Sequence, residues 1–191
     1  YVQRLLSANK EALRNRAGLL FPGQAWSDQV LAVRDVRDLR RRPGVAGSWG
    51  RLCREIRDWP GASIISMEWL CVATDEQVDT IVTDLAPARV EVIFTVRDLG
   101  RTLPAAWQEY MQNQHPWSWE QFLDGVSDED PTAQPPGRTF WAQQDLPILL
   151  QRWASRVSAA HTHVVTLPPA AASGRPRGRA SRGHHPRTRR E

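Results

Sequence analysis

Two apolar stretches of the sequence each end in charged side chains that could bind a ligand. Val90–Val96 runs directly into Arg97, and Arg101 follows one helical turn later. Ala62–Met67 leads in the same way to Glu68. In open parallel sheets, ligands bind outside the carboxyl ends of the strands. Arg97, Arg101 and Glu68 are therefore the candidate site residues.

An arginine that follows a buried strand suits a phosphate group. Its planar guanidinium can donate to two phosphate oxygens at once, and the N-terminus of the helix expected after Arg97 also favours an anion. The alternative is that Arg97 pairs with Asp98 or with another carboxylate at the edge of the sheet. The residues alone leave both interpretations open.

Sequence patterns predict that these residues lie within a series of helices and strands that alternate along the chain. Apolar spacing and capping signals predict helices over about residues 1–16, 28–42, 48–59, 75–85, 98–114, 119–126 and 145–157. The predicted strands are Ala62–Met67, Arg89–Val96 and His161–Leu167, and Ser127–Arg138 is predicted to be a loop. Two capping boxes support the helix starts, one formed by Thr74 with Gln77 and one by Ser118 with Gln121.

This order of elements predicts the α/β class. Apolar strands without strict alternation, separated by amphipathic helices, are typical of a parallel sheet covered on both faces. Three strands make a thin sheet, so we expect at least one further strand, placed before Tyr1. The predicted domain is residues 1–167, an incomplete parallel sheet flanked by helices.

The positive charge of the chain is concentrated in its last segment. The formal net charge is +4, but residues 168–191 hold seven Arg and one Glu, which leaves −2 on residues 1–167. The body of the chain therefore has no general attraction for nucleic acid. Pro, Gly, Ala, Ser and Arg dominate residues 168–191, which contain no large aliphatic side chain, so we predict that this segment is disordered.

Composition favours a cytoplasmic protein. No apolar run approaches the roughly 18 residues that a membrane helix needs. Charges interrupt the apolar residues of the N-terminal segment, so no signal peptide is predicted. Cys53 and Cys71 form no CxxC pair, and we expect two reduced, buried thiols.

The aromatic side chains have mainly structural interpretations. Four of the nine tryptophans lie on apolar faces of predicted helices, where core packing explains them better than stacking on a ligand: Trp49, Trp59, Trp107 and Trp153. His115, with Pro116 and Trp117, could line a substrate site, but a turn at the end of a helix is the simpler interpretation.

Histidine spacing gives little support to a metal site. His161 and His163 alternate on one predicted strand, but no Cys, Asp or Glu accompanies them at ligand spacing. We therefore predict no metal. The chain also lacks a GxSxG motif and an intact Walker motif.

Several segments of residues 1–167 resemble those of bacterial sulfotransferase-like proteins, which have a P-loop, three-layer α/β/α fold. The matching segments, in chain order, are YVQRLLSANKEALRNRAGLLFPG, GASIISMEWL, VIFTVRDLGRTLPAAWQEYMQN, FWAQQDLPILLQRWA and HVVTLPP. Each motif is short, and their order and spacing together carry the resemblance. It implies a domain whose first strand and phosphate-binding loop would precede Tyr1.

The resemblance also implies a reaction. It suggests transfer of a sulfuryl group from 3′-phosphoadenylyl sulfate to a hydroxyl or amine of a small-molecule or carbohydrate acceptor, without a metal or a membrane. It assigns Arg97 to the 3′-phosphate of the donor, with Arg101 nearby. Because the acceptor loses a proton as it attacks sulfur, a base is needed, and Glu68 is the candidate. The alternative for Glu68 is a solvated carboxylate at a helix start.

Three features of the sequence depart from that family and leave other functions open. The phosphate-binding loop is not present, Ala105 stands where the family usually has Ser, and Met67 stands where relatives often have His. One alternative is thus a non-catalytic, truncated remnant of the fold that does not bind the donor. The alternative that we rank last is binding of nucleic acid to the basic tail without sequence specificity. Such binding would weaken as the salt concentration rises.

Overall fold

The structure, a computed structural model, describes residues 2–39 and 42–167. The helices are α1 (Val2–Ala8), α2 (Lys10–Ala17), α3 (Trp26–Val36), α4 (Ser48–Arg57), α5 (Asp75–Leu85), α6 (Leu99–Gln112), α7 (Trp119–Ser127), α8 (Pro135–Gln144) and α9 (Leu146–Val157). The strands are β1 (Leu19–Leu20), β2 (Ala62–Ser63), β3 (Val92–Val96) and β4 (Thr162–Thr166), and short 3-10 helices cover Glu68–Leu70 and Ala159–His161. The disorder predicted for 168–191 lies outside the described residues.

All strand pairing in the described residues is parallel, which confirms that part of the prediction. β1 pairs with β2, and β3 pairs with β4 in the register that sets Val92 opposite Thr162 and Val96 opposite Thr166. The pairs form two separate two-stranded sheets rather than one sheet. The chain is therefore mixed α/β with two small parallel sheets.

The strand predicted for Ala62–Met67 is much shorter in the structure because its backbone finds other partners. After β2, the N–H of Ile64 still donates to the carbonyl of Leu20 at 2.9 Å. The N–H of Ser66 instead donates to the side chain of Gln29, at 2.9 Å from Oε1. Gln29 is fully buried in α3. Its side-chain oxygen therefore accepts the hydrogen bond that a neighbouring strand would otherwise accept.

The main core packs helices against β3. Its buried members come from α3 to α5, the segment before α5, and α9: Ala32, Trp49, Leu52, Cys53, Ile56, Ala73, Val78, Ile81, Leu85 and Trp153. Ile65 from the segment after β2 and Val92 and Phe94 from β3 pack against this cluster. The segment that follows β2 and the strand β3 therefore bury apolar side chains in the same interior.

A second core is almost wholly aromatic. Tyr110, Phe122, Val126 and Phe140 are buried between α6, α7 and α8. The rings of Phe122 and Phe140 meet edge to face, with centroids 5.8 Å apart. Because Tyr110 belongs to this cluster, the cluster anchors the C-terminal half of α6 against α7 and α8.

Two predicted helix boundaries are wrong for local reasons. The first helix is broken at Asn9, where α1 ends and α2 begins. The helix predicted to reach residue 42 ends at Val36, and Asp38 then adopts a left-handed backbone with φ 58°, which a continuing helix does not permit.

The predicted loop 127–138 also proves partly helical. α8 begins at Pro135, inside that segment, with proline at its first positions. A proline there costs no hydrogen bond, because the first N–H groups of a helix have no internal partner. No helix in the described part of the chain is long and apolar enough to cross a membrane.

Candidate functional site

The junction between β3 and α6 positions the two candidate arginines. Val92 and Phe94 face the core, whereas Ile93 on the opposite face of the strand is 59% exposed. The strand ends at Val96, and the side chain of Asp98 caps α6 by accepting the N–H of Arg101 at 3.0 Å. Arg97 therefore lies between the carboxyl end of a parallel strand and a capped helix start.

Arg97 presents an exposed guanidinium without a carboxylate partner in the described residues. Its Nε donates to Oγ1 of Thr102 at 3.3 Å. Thr102 is buried, and its hydroxyl donates in turn to the carbonyl of Asp98 at 2.9 Å. This chain of hydrogen bonds holds the guanidinium at the end of the strand while its remaining N–H donors stay open to solvent. The alternative of an ion pair with Asp98 is not what the structure shows.

Arg101 is engaged in contacts within the protein. Its Nε lies 2.5 Å from Oδ2 of Asp98, and one of its Nη atoms donates to the carbonyl of Leu167 at 3.3 Å. The hydrogen bond from Arg101 lowers the pKa of Asp98. In this conformation Arg101 ties the start of α6 to the end of β4, so it is a positioning residue.

Glu68 is exposed at the start of the 3-10 helix Glu68–Leu70. Its Oε1 accepts a hydrogen bond from Nε2 of Gln3, in α1, at 3.1 Å. The carboxylate is thus held by an amide and keeps lone pairs available. This geometry is compatible with both interpretations of Glu68, the base and the solvated helix-start carboxylate.

A neighbour of Glu68 locates it relative to α6. Burial of the carboxyl group and then the negative charge of Glu68 raise the pKa of Glu109, although Glu109 as a whole residue is exposed. The charge of Glu68 therefore acts on a residue in the C-terminal half of α6. Arg101 and Glu109 are separated by about 12 Å along the helix axis, at 1.5 Å per residue. The residue on which Glu68 acts thus lies toward the end of α6 opposite to Arg101.

The turn after α6 favours the structural interpretation of His115. The ring of His115 stacks on Trp117 with centroids 4.5 Å apart, and Tyr110 contacts both rings edge to face. Nε1 of Trp107 donates to the carbonyl of Trp117 at 3.3 Å. These contacts make the segment part of the aromatic core.

The structure places a carboxylate beside His161, in the 3-10 helix before β4, and His163, in β4, which sequence spacing did not reveal. Oε1 of Glu91 lies 3.0 Å from Nδ1 of His161, and its Oε2 lies 2.8 Å from Nε2 of His163. Arg89 also pairs with this carboxylate, at 3.0 Å. Glu91 comes directly before the neighbouring strand β3, so only knowledge of the strand register would have identified it. In the described residues, no group of three or more His, Cys, Asp or Glu is arranged to hold a metal ion.

Comparison with known proteins identifies no family for this chain. The chain matches no family model, no curated protein and no solved structure.

Proposed function

We propose that residues 1–167 form a sulfotransferase-type domain in which Arg97 binds the 3′-phosphate of 3′-phosphoadenylyl sulfate. One observation carries this proposal: Arg97 is exposed at the carboxyl end of a parallel strand, where its side chain is held by a hydrogen bond to Thr102. Within residues 2–39 and 42–167 no carboxylate pairs with it. Such a group is preorganised for an anion, because its positive charge and most of its donors are unused.

The three-layer P-loop fold is part of the proposal. It draws support from parallel pairing in both sheets, from the helices between the strands, and from the one core against which both β3 and the segment after β2 pack. It also requires a further parallel strand between β2 and β3 to join the two pairs into one sheet, and a phosphate-binding loop at the end of that strand.

The chemistry we propose is an in-line displacement at sulfur. The acceptor oxygen or nitrogen forms a bond to sulfur as the bond between sulfur and the 5′-phosphate oxygen breaks, and adenosine 3′,5′-bisphosphate leaves. The acceptor proton passes to a base, for which we propose Glu68. Its hydrogen bond from Gln3 orients the carboxylate and leaves its second oxygen available. Arg101 acts by positioning the junction that carries Arg97.

A second candidate, a remnant of this fold without catalysis, has its own support. Met67 precedes Glu68 and cannot move a proton, and Ala105 offers no hydroxyl to a phosphate. This candidate retains the fold but not the affinity for the donor.

Ligand-dependent thermal stability separates the two candidates. Adenosine 3′,5′-bisphosphate is titrated into the full chain and into an Arg97→Ala variant. At a hundredfold excess over Kd, binding adds about 2.7 kcal/mol to the free energy of unfolding. We expect this gain in the unmodified chain and its loss in Arg97→Ala.

A matched control keeps the experiment specific. Arg54 is exposed in the last turn of α4, so Arg54→Ala removes the same charge away from the β3–α6 junction. Equal losses in both variants would indicate general electrostatic attraction rather than a site. Absence of any gain in the unmodified chain would favour the non-catalytic remnant.

A further inference from the structure

A buried hydroxyl connects Arg97 to the first turn of α6. Thr102 is 7% exposed, and its Oγ1 accepts a hydrogen bond from Nε of Arg97 at 3.3 Å. The same hydroxyl donates to the carbonyl of Asp98 at 2.9 Å. Asp98 lies four residues before Thr102, and a helical threonine can donate to the carbonyl at that position. This bond to its own helix therefore holds the Thr102 side chain in one rotamer.

The partners of the Thr102 hydroxyl determine the direction of both hydrogen bonds. A carbonyl oxygen can only accept a hydrogen bond, and the nitrogen atoms of an arginine can only donate one. The hydroxyl must therefore give its proton to Asp98 and offer a lone pair to Arg97. Within the part of the chain that the structure describes, the two Nη atoms of Arg97 have no hydrogen-bond partner. The donors that remain for a ligand are thus the N–H groups at the free end of the guanidinium.

We propose that Thr102 is a positioning residue that sets the preference of this site for a nucleotide with a 3′-phosphate. The inference rests on the proposed function, because it takes Arg97 as the group that binds this phosphate. Two Nη atoms held in a fixed plane can donate to two oxygens of one phosphate. A guanidinium that is already held also loses less side-chain freedom when the ligand binds.

Removal of the hydroxyl tests the role of Thr102 in the full chain. Thr102→Val takes away the partner of Nε, whereas the carbonyl of Asp98 still accepts the backbone N–H groups of residues 101 and 102, at 3.2 and 3.1 Å. Calorimetric titration compares adenosine 3′,5′-bisphosphate with adenosine 5′-phosphate, which lacks the 3′-phosphate. In Thr102→Val we expect the affinity for the bisphosphate to fall about two- to tenfold and the affinity for the 5′-phosphate to stay the same. Thr102→Ser retains the hydroxyl and should restore most of the bisphosphate affinity.

A double-mutant cycle separates the positioning of Arg97 from a general effect on the fold. Arg97→Lys retains the positive charge but has no N–H group at the position of Nε. In the Arg97→Lys background, Thr102→Val should therefore leave the affinity for the bisphosphate unchanged. Thr80→Val is the matched control, because Thr80 in α5 donates to the carbonyl of Glu76 at 2.9 Å, also four residues earlier. This control should bind the bisphosphate as the unmodified chain does.

The outcomes distinguish the role of Thr102 from the proposed function. If the unmodified chain does not bind the bisphosphate, or if Arg97→Ala binds it equally well, the proposed function fails and this inference fails with it. If binding depends on Arg97 but is as tight in Thr102→Val, only the role of Thr102 is wrong. An equal loss in the Arg97→Lys background would also overturn that role. Should Thr102→Val fail to fold by circular dichroism, NMR of the unmodified chain decides: the Nε proton of Arg97 should exchange with solvent more slowly than that of the exposed Arg54, and equal rates would contradict the proposal.

Discussion

Nε2 of His163 in β4 lies 2.8 Å from Oε2 of Glu91, the residue just before β3. The contact connects residues 72 apart in sequence and follows from the parallel register of the two strands. Since the same carboxylate also contacts His161, one acid joins the start of β3 to the start of β4.

We expect this contact to make stability depend on pH. The hydrogen bond from His163, with the charge of His161, lowers the pKa of Glu91. A carboxyl whose pKa is lower in the folded state stabilises the fold above its unfolded pKa, roughly 4.3. That contribution is lost as the pH falls through the lower folded pKa. In Glu91→Gln, urea unfolding measured between about pH 6 and pH 3 should therefore show a smaller loss of stability on acidification.

A matched carboxylate provides the control. Glu129→Gln removes an exposed acid from the loop between α7 and α8, and its acid sensitivity should equal that of the unmodified chain. If Glu91→Gln and the unmodified chain lose stability in parallel on acidification, the contact with His163 has no energetic role.

Sequence reasoning was most successful where a few neighbouring residues determine the structure. The capping boxes of Thr74 with Gln77 and of Ser118 with Gln121 are both present, because each needs only four consecutive residues. The contacts of Glu91 with the histidines could not be predicted, since they require the pairing of strands that are far apart in sequence.

The missed helix α8 shows how composition can mislead. Composition predicts a loop for its first residues, which include two prolines and a glycine. In the structure, an ideal Cβ on Gly137 would overlap the carbonyl oxygen of Gly125 in α7. Gly137 therefore permits two helices to pack closely, and the proline at the helix start was a signal that could have been used.

The candidate site was predicted only in part. The position of Arg97 after a strand and before a helix follows from local pattern, and the structure has it there. The engagement of Arg101 with Leu167 depends on tertiary packing, which periodicity does not encode.

Removing the negative charge of Asp98 should strengthen anion binding at the β3–α6 junction, if the proposed function is right. Asp98→Asn retains an oxygen that can cap α6 but removes the negative charge that stands next to Arg97. Asp98 is exposed, and solvent screens its charge. The affinity for adenosine 3′,5′-bisphosphate should therefore rise by only about two- to fivefold. Isothermal titration calorimetry measures this change. An unchanged affinity in a folded Asp98→Asn variant would contradict anion binding at this junction.

The aromatic core should contribute strongly to stability. Phe140 is fully buried and contacts the ring of Phe122 edge to face. Phe140→Ala leaves a cavity and should lower the free energy of unfolding by about 3–5 kcal/mol, measured by urea denaturation. Phe140→Leu fills most of the space and should cost clearly less. A loss below about 1 kcal/mol for the alanine variant would contradict the packing seen between α7 and α8.

The position of Glu68 beside α6 can be tested through its neighbour. Burial first, and the charge of Glu68 second, raise the pKa of Glu109. In Glu68→Gln the pKa of Glu109 should move down toward its ordinary value without reaching it, because burial of the carboxyl group remains. A pH titration of the Glu109 side-chain carboxyl carbon by NMR measures this shift. Glu120→Gln, at the start of α7, is the control and should leave the titration unchanged. If Glu68→Gln also leaves it unchanged, the charge of Glu68 does not act on α6.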